Sequence, residues 1–185
     1  MQDEARGSSA AQEFERIMLP HLDAAHNLAR WLVRNPHDAE DVVQDAYIRA
    51  FKFFGGYQGG NSRAWILRIV RNAAYTFIEK RHPADLTEEF DEALHGGEAE
   101  QPNAESALVQ SADSRILQGA LEALPVRSRE VLILREIEGL SYKEIAEVAD
   151  IPIGTVMSSL ARGRAQLRER LLGIRQKEAP RGLPR

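Results

Sequence analysis

The segment SYKEIAEVADIPIGTVMSSL, residues 141–160, decides the fold of the C-terminal half of this chain. Ser141 followed three residues later by Glu144 is the pattern of a capping box, in which each side chain satisfies a backbone donor at the start of a helix. The sequence Asp-Ile-Pro at 150–152 ends this helix after about two turns, because proline cannot continue it. A short capped helix with a tight turn behind it is therefore predicted.

A second helix is predicted directly after the turn, with Thr155 capping or opening it. Two helices joined by a tight turn form a helix-turn-helix, which we place over residues 124–172. Small residues and arginine on the outer face suit a DNA major groove, whereas the alternative is a merely solvated face. The apolar face comprises Val156, Leu160, Gly163, Leu167 and Leu171, and the opposite face with its flanks presents Thr155, Ser158, Ser159, Arg162, Arg164 and Arg168.

Charge is distributed unevenly along the chain. The formal net charge of -4 would argue against nucleic-acid binding if it were spread evenly. Between Arg81 and Arg115, however, there is no lysine or arginine, while acids are frequent. From residue 154 to residue 181 the balance reverses. An acidic middle therefore masks a basic C-terminal end.

The N-terminal half is also predicted to be helical. Apolar residues recur at helical spacing from Phe14 to Leu32, with Pro20 expected to kink or interrupt that helix. Asp38 is expected to cap a second helix, which runs to about Phe51. The glycines of residues 55–60 predict a loop.

A third helix is predicted from about Ser62 to Lys80, with an apolar side and a polar side. Trp65 has the spacing of a core residue, and its alternative is a wedge between DNA bases. His82 and Pro83 end this helix. A further helix is predicted over residues 108–124, and alternation typical of strands is missing from the sequence. The fold class is therefore all-α, with two small helical domains and an acidic flexible linker.

Several function classes are disfavoured by composition. Without cysteine, the chain can form no disulfide, thiolate metal site or cysteine nucleophile. The histidines form no metal-ligand pair on an ordered helix face, so we expect no metal, no cofactor and no enzymatic activity. The polar N-terminus does not resemble a secretory signal and the chain has no apolar run of membrane-spanning length, so a cytoplasmic location is expected.

Four strings together resemble the extracytoplasmic-function (ECF) sigma factors of bacteria. They are DVVQDAY at 41–47, WILRIVRN at 65–72, GLSYKEIA at 139–146 and GTVMS at 154–158. In that family, sigma region two binds the polymerase clamp and opens the minus-10 promoter element, and region four reads the minus-35 element. The resemblance implies that core RNA polymerase and promoter DNA are partners and that a stress or envelope regulon is transcribed.

The resemblance also implies site residues. Single-stranded bases can be recognised by stacking and by their pairing edges while basic residues hold the backbone. Core polymerase contacts are assigned to Asp41, Gln44, Asp45 and Arg49; minus-10 contacts to Tyr57, Asn61, Ser62, Arg68, Arg71, Asn72 and Tyr75; and minus-35 contacts to Thr155, Ser158, Ser159, Arg162 and Arg164.

Two departures from the family pattern bear on these assignments. The loop between Gly59 and Trp65 is a residue shorter than in many relatives. Met157 and Ser159 stand where many members carry arginine, which implies weaker phosphate anchoring or a different upstream sequence, with more of the binding falling to Arg162.

The resemblance implies an anti-sigma factor as a further partner, in many members anchored in the inner membrane. Two alternatives to the sigma-factor reading remain: a helix-turn-helix regulator that never contacts polymerase, and a sigma mimic that binds an anti-sigma factor and not DNA. The acidic linker either enters the basic RNA exit channel of polymerase or serves as a solubilising spacer. The expected boundaries are a disordered N-terminus over 1–11, region two over 12–82, the linker over 83–107, region four over 108–175 and a flexible tail over 176–185.

Overall fold

Helices make up every long element of the computed structural model, which describes residues 2–87 and 112–178. This confirms the all-α prediction, while residues 88–107 of the expected linker lie outside the described part. The first domain contains α1 to α5 and the second α6 to α9. The helices are α1 Gln2–Met18, α2 Leu22–Val33, α3 Pro36–Phe53, α4 Ser62–Arg81, α5 Ala84–Thr87, α6 Ala112–Glu122, α7 Val126–Leu132, α8 Tyr142–Ala149 and α9 Ile153–Glu178.

Pro20 interrupts the N-terminal helix, as expected. A 3-10 turn over Leu19–His21 contains this proline and separates α1 from α2. Helix α1 begins at Gln2, inside the segment over residues 1–11 for which disorder is expected. Residues that favour helices in this stretch are Gln2, Glu4, Ala5, Ala10 and Ala11.

The cap of α3 differs from the prediction. Asn35, and not Asp38, is the N-cap residue, and its side chain accepts hydrogen bonds from the backbone N–H groups of His37 at 2.9 Å and Asp38 at 3.3 Å. Pro36 follows at the first helical position, where a missing N–H costs nothing. Asp38 instead accepts a hydrogen bond from Arg81 of α4 at 3.0 Å.

The core of the first domain lies where α2, α3 and α4 pack on one another. Leu28, Leu32, Ile66 and Leu67 are at most 1% exposed. Burial of each such side chain stabilises the fold by about 1.5–3 kcal/mol. Alanines let the helix backbones approach closely, and those on α3 and α4 are Ala39, Ala46, Ala50, Ala64, Ala73 and Ala74.

The second domain is a helix-turn-helix with the expected cap. The Ser141 side chain accepts from the Glu144 N–H at 3.3 Å, and the Glu144 carboxylate accepts from the Ser141 N–H at 2.7 Å. Asp150 ends α8 in the left-handed conformation, with φ of 57°. Before α8, the polypeptide completes α7 through a π-helical turn over Ile133–Ile137.

Helix α9 begins two residues earlier than expected. It starts at Ile153, because the Pro152 carbonyl accepts hydrogen bonds from the N–H groups of Thr155 and Val156 at 2.9 and 3.1 Å. Thr155 therefore lies inside the first turn and does not cap it. Further along α9, a Cβ on buried Gly163 would lie 3.1 Å from the Leu132 side chain, so glycine permits α9 to approach α7.

Candidate promoter and polymerase interface

The exposed face of α9 carries the predicted minus-35 residues. Thr155, Ser158 and Arg162 are exposed, and Ser159 is half-buried beside Leu160. The Ser158 hydroxyl donates to the Thr155 carbonyl at 3.1 Å. These side chains follow one helix surface, as insertion into a groove requires.

Arg164 pairs with a side chain from another element of its own domain. Its guanidinium donates to Glu136 at 2.6 Å, and both side chains are about half-exposed. Hydrogen bonding to Glu136 and the charge of that carboxylate raise the pKa of Arg164. Glu136 thus holds Arg164 against the second domain.

The glycine loop before α4 is organised around an aromatic cluster. Tyr57 stacks on Phe54 with ring centroids 5.8 Å apart and lies against Trp65 at 5.2 Å. The Tyr57 hydroxyl donates to the Gly60 carbonyl at 3.0 Å. Gly60 has φ of 94°, a conformation that favours glycine. Trp65 is half-buried in this cluster, which supports its interpretation as a packing residue.

Two of the predicted minus-10 residues have structural roles at the start of α4. Asn61 is the N-cap, accepting from the Ala64 N–H at 3.0 Å. The Ser62 hydroxyl lies 2.8 Å from His21 Nε2. Burial and the positive charge of Arg63 lower the pKa of His21.

The polar side of α4 faces acids of the second domain. Arg71 Nε donates to Glu130 at 2.8 Å, and the Tyr75 hydroxyl donates to the same carboxylate at 2.7 Å. Arg71 also lies over the Tyr75 ring at 4.0 Å, while exposed Asn72 accepts a hydrogen bond from Arg71 at 3.3 Å. Arg68 donates to Asp150 at 3.0 Å.

Burial changes the titration of this group. The pKa of Tyr75 is raised by burial and by the negative charge of Glu130. Burial lowers the pKa of Arg71, but the Glu130 carboxylate outweighs this and the net shift is upward. Glu130 is therefore bound by a charged guanidinium and a neutral phenol.

Sequence reasoning missed the residues that pair with this surface. Glu138 accepts hydrogen bonds from Arg63 and, at 2.6 Å, from Asn27, while Asn61 donates to Glu144 at 2.6 Å. The sequence contains one indication that Glu130 is paired. Glu130 adjoins an apolar run beginning at Val131, so its carboxylate is expected to be buried, and a buried carboxylate needs a cation. Nothing in the sequence indicates which cation that is.

The predicted polymerase-binding residues share the outer face of α3. Asp41, Gln44, Asp45 and Arg49 are all exposed, and Arg49 pairs with Asp45 at 2.6 Å across one helical turn. The opposite face is buried in the core of the first domain. Helix α3 also leaves large apolar side chains exposed, namely Ile48, Phe51 and Phe53, at 62%, 50% and 62%.

Comparison with known families identifies both domains. The Sigma-70 region 2 family matches residues 17–83, and the Sigma-70 region 4 family matches residues 114–167. The chain is 32% identical to the ECF RNA polymerase sigma-E factor of Haemophilus influenzae, covering 78% of this chain and 79% of that protein. This chain belongs to the ECF sigma factors.

A further relative and two solved structures are similar over most of this chain. The ECF RNA polymerase sigma factor SigE of Mycolicibacterium smegmatis is 37% identical over 91% of this chain, which spans 65% of the length of that relative. The sigma factor RpoE of Bartonella quintana, solved in complex with the anti-sigma factor NepR, is 30% identical with a TM-score of 0.68, covering 86% of this chain and 97% of that one. CnrH, solved with the cytosolic domain of CnrY, shares the fold with a TM-score of 0.64 at 24% identity over 90% of this chain and 95% of that one.

In this ECF sigma factor, the predicted polymerase and minus-10 residues lie within the region 2 match and the predicted minus-35 residues within the region 4 match. None of the helices described over residues 2–87 and 112–178 is long and apolar enough to cross a membrane.

Proposed function

We propose that this ECF sigma factor binds core RNA polymerase and directs it to promoters with separate minus-35 and minus-10 elements. The observation that carries the proposal is the presence, in one chain, of both sigma regions with an exposed polar α3 face and an exposed α9 face. A helix-turn-helix regulator that never contacts polymerase would leave the region 2 match and the α3 face without a role.

The α3 face is proposed to bind the polymerase clamp. Helix α3 is anchored by a buried opposite face, so Asp41, Gln44, Asp45 and Arg49 are presented on a rigid element. Exposed charges of this kind fix orientation and increase the rate of association. The exposed Ile48 and Phe53 beside them supply apolar area that a charged face alone lacks.

The DNA contacts are proposed to divide between the domains. Thr155, Ser158, Ser159, Arg162 and Arg164 read the duplex of the minus-35 element from α9. Once the strands separate, the glycine loop and α4 hold the nontemplate strand by stacking and by charge. The residues proposed for that surface are Tyr57, Asn61, Ser62, Arg68, Arg71, Asn72 and Tyr75.

In this role the chain contributes binding and positioning in the cytoplasm, while nucleotide transfer belongs to the polymerase. An anti-sigma factor, anchored in the membrane, is proposed to hold the protein inactive. The complex of RpoE with NepR supports such a partner, since this chain covers nearly all of that sigma factor. A stress or envelope regulon is the proposed target.

Association with core polymerase tests the proposal against a regulator that uses α9 alone. Labelled full-length protein is titrated with core polymerase, and we expect a stable complex. Asp45→Arg removes the pair with Arg49 and reverses one charge of the α3 face, so core binding should weaken about tenfold, or about 1.4 kcal/mol. Glu79→Arg, an exposed reversal on α4, is the matched control and should bind as the wild type does. Lack of a wild-type complex, or equal effects of the two reversals, would contradict the proposal.

A further inference from the structure

We infer that Met157 determines specificity for the minus-35 element by packing its side chain on the C5-methyl group of a thymine in the major groove. This inference rests on the proposed function, because it concerns the duplex that α9 is proposed to bind. It adds a base to the element that the polar residues assigned to α9 do not account for, since those residues act through hydrogen bonds and charge.

Met157 lies within the first two turns of α9, which begins at Ile153. Its side chain is 54% exposed, although its neighbour Val156 is fully buried. In a helix-turn-helix, the N-terminal residues of the second helix are those that reach the edges of the bases. The Met157 side chain is therefore positioned to contact bases and does not contribute to the core.

Met157 belongs to an apolar stripe on α9, which consists of Ile153, Met157 and Ala161. These residues are four positions apart, so they are neighbours along one side of the helix. All three are exposed, and Ile153 is 48% exposed. The apolar stripe is therefore a solvent-accessible surface at the end of α9 that would enter a groove.

The charge around the apolar stripe indicates that its partner is DNA. Residues 151–168 include Arg162, Arg164 and Arg168 and neither aspartate nor glutamate. Clustered arginines attract the phosphates on both sides of a groove. Among the groups that bases present in the major groove, the apolar one is the C5-methyl of thymine. An apolar stripe on a face that bears arginines therefore matches a duplex with thymine at the contacted position.

The serine next to Met157 does not provide a donor for guanine. The Ser158 hydroxyl donates to the Thr155 carbonyl at 3.1 Å, so the group that it presents outward is an acceptor. Guanine presents the acceptors N7 and O6 in the major groove, and an acceptor cannot bind them. This turn of α9 is therefore unsuited to guanine, which leaves Met157 to select thymine.

Methionine and arginine at position 157 predict different upstream elements. An arginine would donate to N7 and O6 of guanine or to a phosphate, whereas a methionine side chain has no hydrogen to donate. Methionine is unbranched and flexible, so it can adjust to the position of a methyl group. Exchanging the two residues should therefore change which base is bound.

Replacing thymine by uracil tests the inference, because it removes the C5-methyl group and leaves every hydrogen-bonding group in place. Holoenzyme, assembled from the full chain and core polymerase, first selects duplexes from promoter fragments randomised over the upstream element. Each thymine of the enriched element is then replaced singly by deoxyuridine, and binding of holoenzyme is measured by fluorescence anisotropy. We expect at least one replacement to weaken wild-type binding about fourfold, the factor for one buried methyl group.

The Met157→Ala variant shows whether Met157 causes this discrimination. It should bind the thymine and uracil duplexes equally, since the atoms that contact the methyl group are gone. Leu172→Ala is the matched control, because Leu172 is an apolar residue of the same helix with 52% exposure, and it should retain the wild-type discrimination. Circular dichroism checks that helix content is equal in the three proteins.

A second selection, with Met157→Arg holoenzyme, tests the change of base. At the position where uracil weakens wild-type binding, guanine should replace thymine, with a preference of about tenfold. Enrichment of the same thymine by Met157→Arg and by the wild type would contradict the inference.

The remaining outcomes also decide the matter. Equal binding of every thymine and uracil duplex by wild-type holoenzyme would overturn the inference, and so would discrimination that persists in Met157→Ala. Weaker association of Met157→Ala with core polymerase, with discrimination intact, would assign the apolar stripe to a protein contact and overturn it as well. Failure of the wild type to enrich any duplex is a separate result, which would overturn the proposed function and this inference with it.

Discussion

Arg162 lies exposed on the reading helix α9, and Met157 and Ser159 beside it bring no charge. Met157 is 54% exposed, so an apolar side chain occupies a position that could otherwise hold a phosphate. Arg164 is already paired with Glu136. At the scale of single residues, we therefore predict that upstream recognition depends strongly on Arg162.

Replacing Arg162 by alanine should weaken binding to an upstream-element duplex by about 1–3 kcal/mol. Fluorescence anisotropy with a duplex selected from a promoter library measures this. Arg170→Ala, an exposed arginine on the same helix, is the matched control and should have a smaller effect. Core association should be unchanged, and an equal loss of core and DNA binding would mean that the assignment of Arg162 is wrong.

His21 gives the protein a predictable response to pH. Its pKa is lowered below the usual value of 6.5 by burial and by Arg63, so below that pH the unfolded chain binds more protons than the folded one. The stability associated with neutral His21 is therefore present above pH 6.5 and is lost as pH falls toward the lowered pKa.

Urea unfolding at roughly pH 7.5 and roughly pH 5.5 checks this expectation. Wild-type protein should lose more unfolding free energy over that interval than His21→Gln, in which an amide can still hydrogen-bond Ser62. Carboxyl groups that titrate in both proteins contribute equally to the two losses of unfolding free energy, so their contribution cancels in the comparison. An identical loss in the two proteins would show that His21 does not cause the dependence.

Helix α8 illustrates how a local signal specifies an element. The capping box of Ser141 and Glu144 was readable from their spacing, and the structure contains both of its hydrogen bonds. Hydrogen bonds from the Ser141 side chain and from the Ser141 backbone N–H to the Glu144 carboxylate lower the pKa of Glu144. The element therefore starts where the sequence indicates.

Ser141→Ala should destabilise the second domain by about 1 kcal/mol, since an N-cap acceptor is lost. Ser141→Asp keeps an acceptor and should restore most of that stability. Chemical unfolding followed by circular dichroism is the measurement. Alanine and aspartate variants of equal stability would indicate that the cap does not contribute.

Other element boundaries were harder to predict. Asn35 and Asp38 are both good N-cap residues three positions apart, and the difference is decided by Pro36, which prefers the first helical position. Thr155 was predicted to cap or open α9. Its backbone N–H already donates to the Pro152 carbonyl, so Thr155 lies within the first turn of the helix. Local propensity therefore located the helices well and their first residues less well.

At the scale of the whole molecule, the contact between domains was beyond sequence reasoning. Its hydrogen bonds join residues from 55 to 111 positions apart, such as Tyr75 with Glu130 and Asn27 with Glu138. Periodicity predicts which face of a helix is apolar, but it does not say which acid meets which arginine. The polar face of α4 was identified, whereas its covering by the second domain was not.

Transcription reconstituted from purified core polymerase, this protein and a library of promoter fragments tests the central claim most directly. The account predicts transcripts that start at a defined subset of promoters sharing two spaced elements, and only when both the protein and core polymerase are present. Failure of every promoter in the library to yield protein-dependent transcripts, with the protein folded and core polymerase active with another sigma factor, would contradict it.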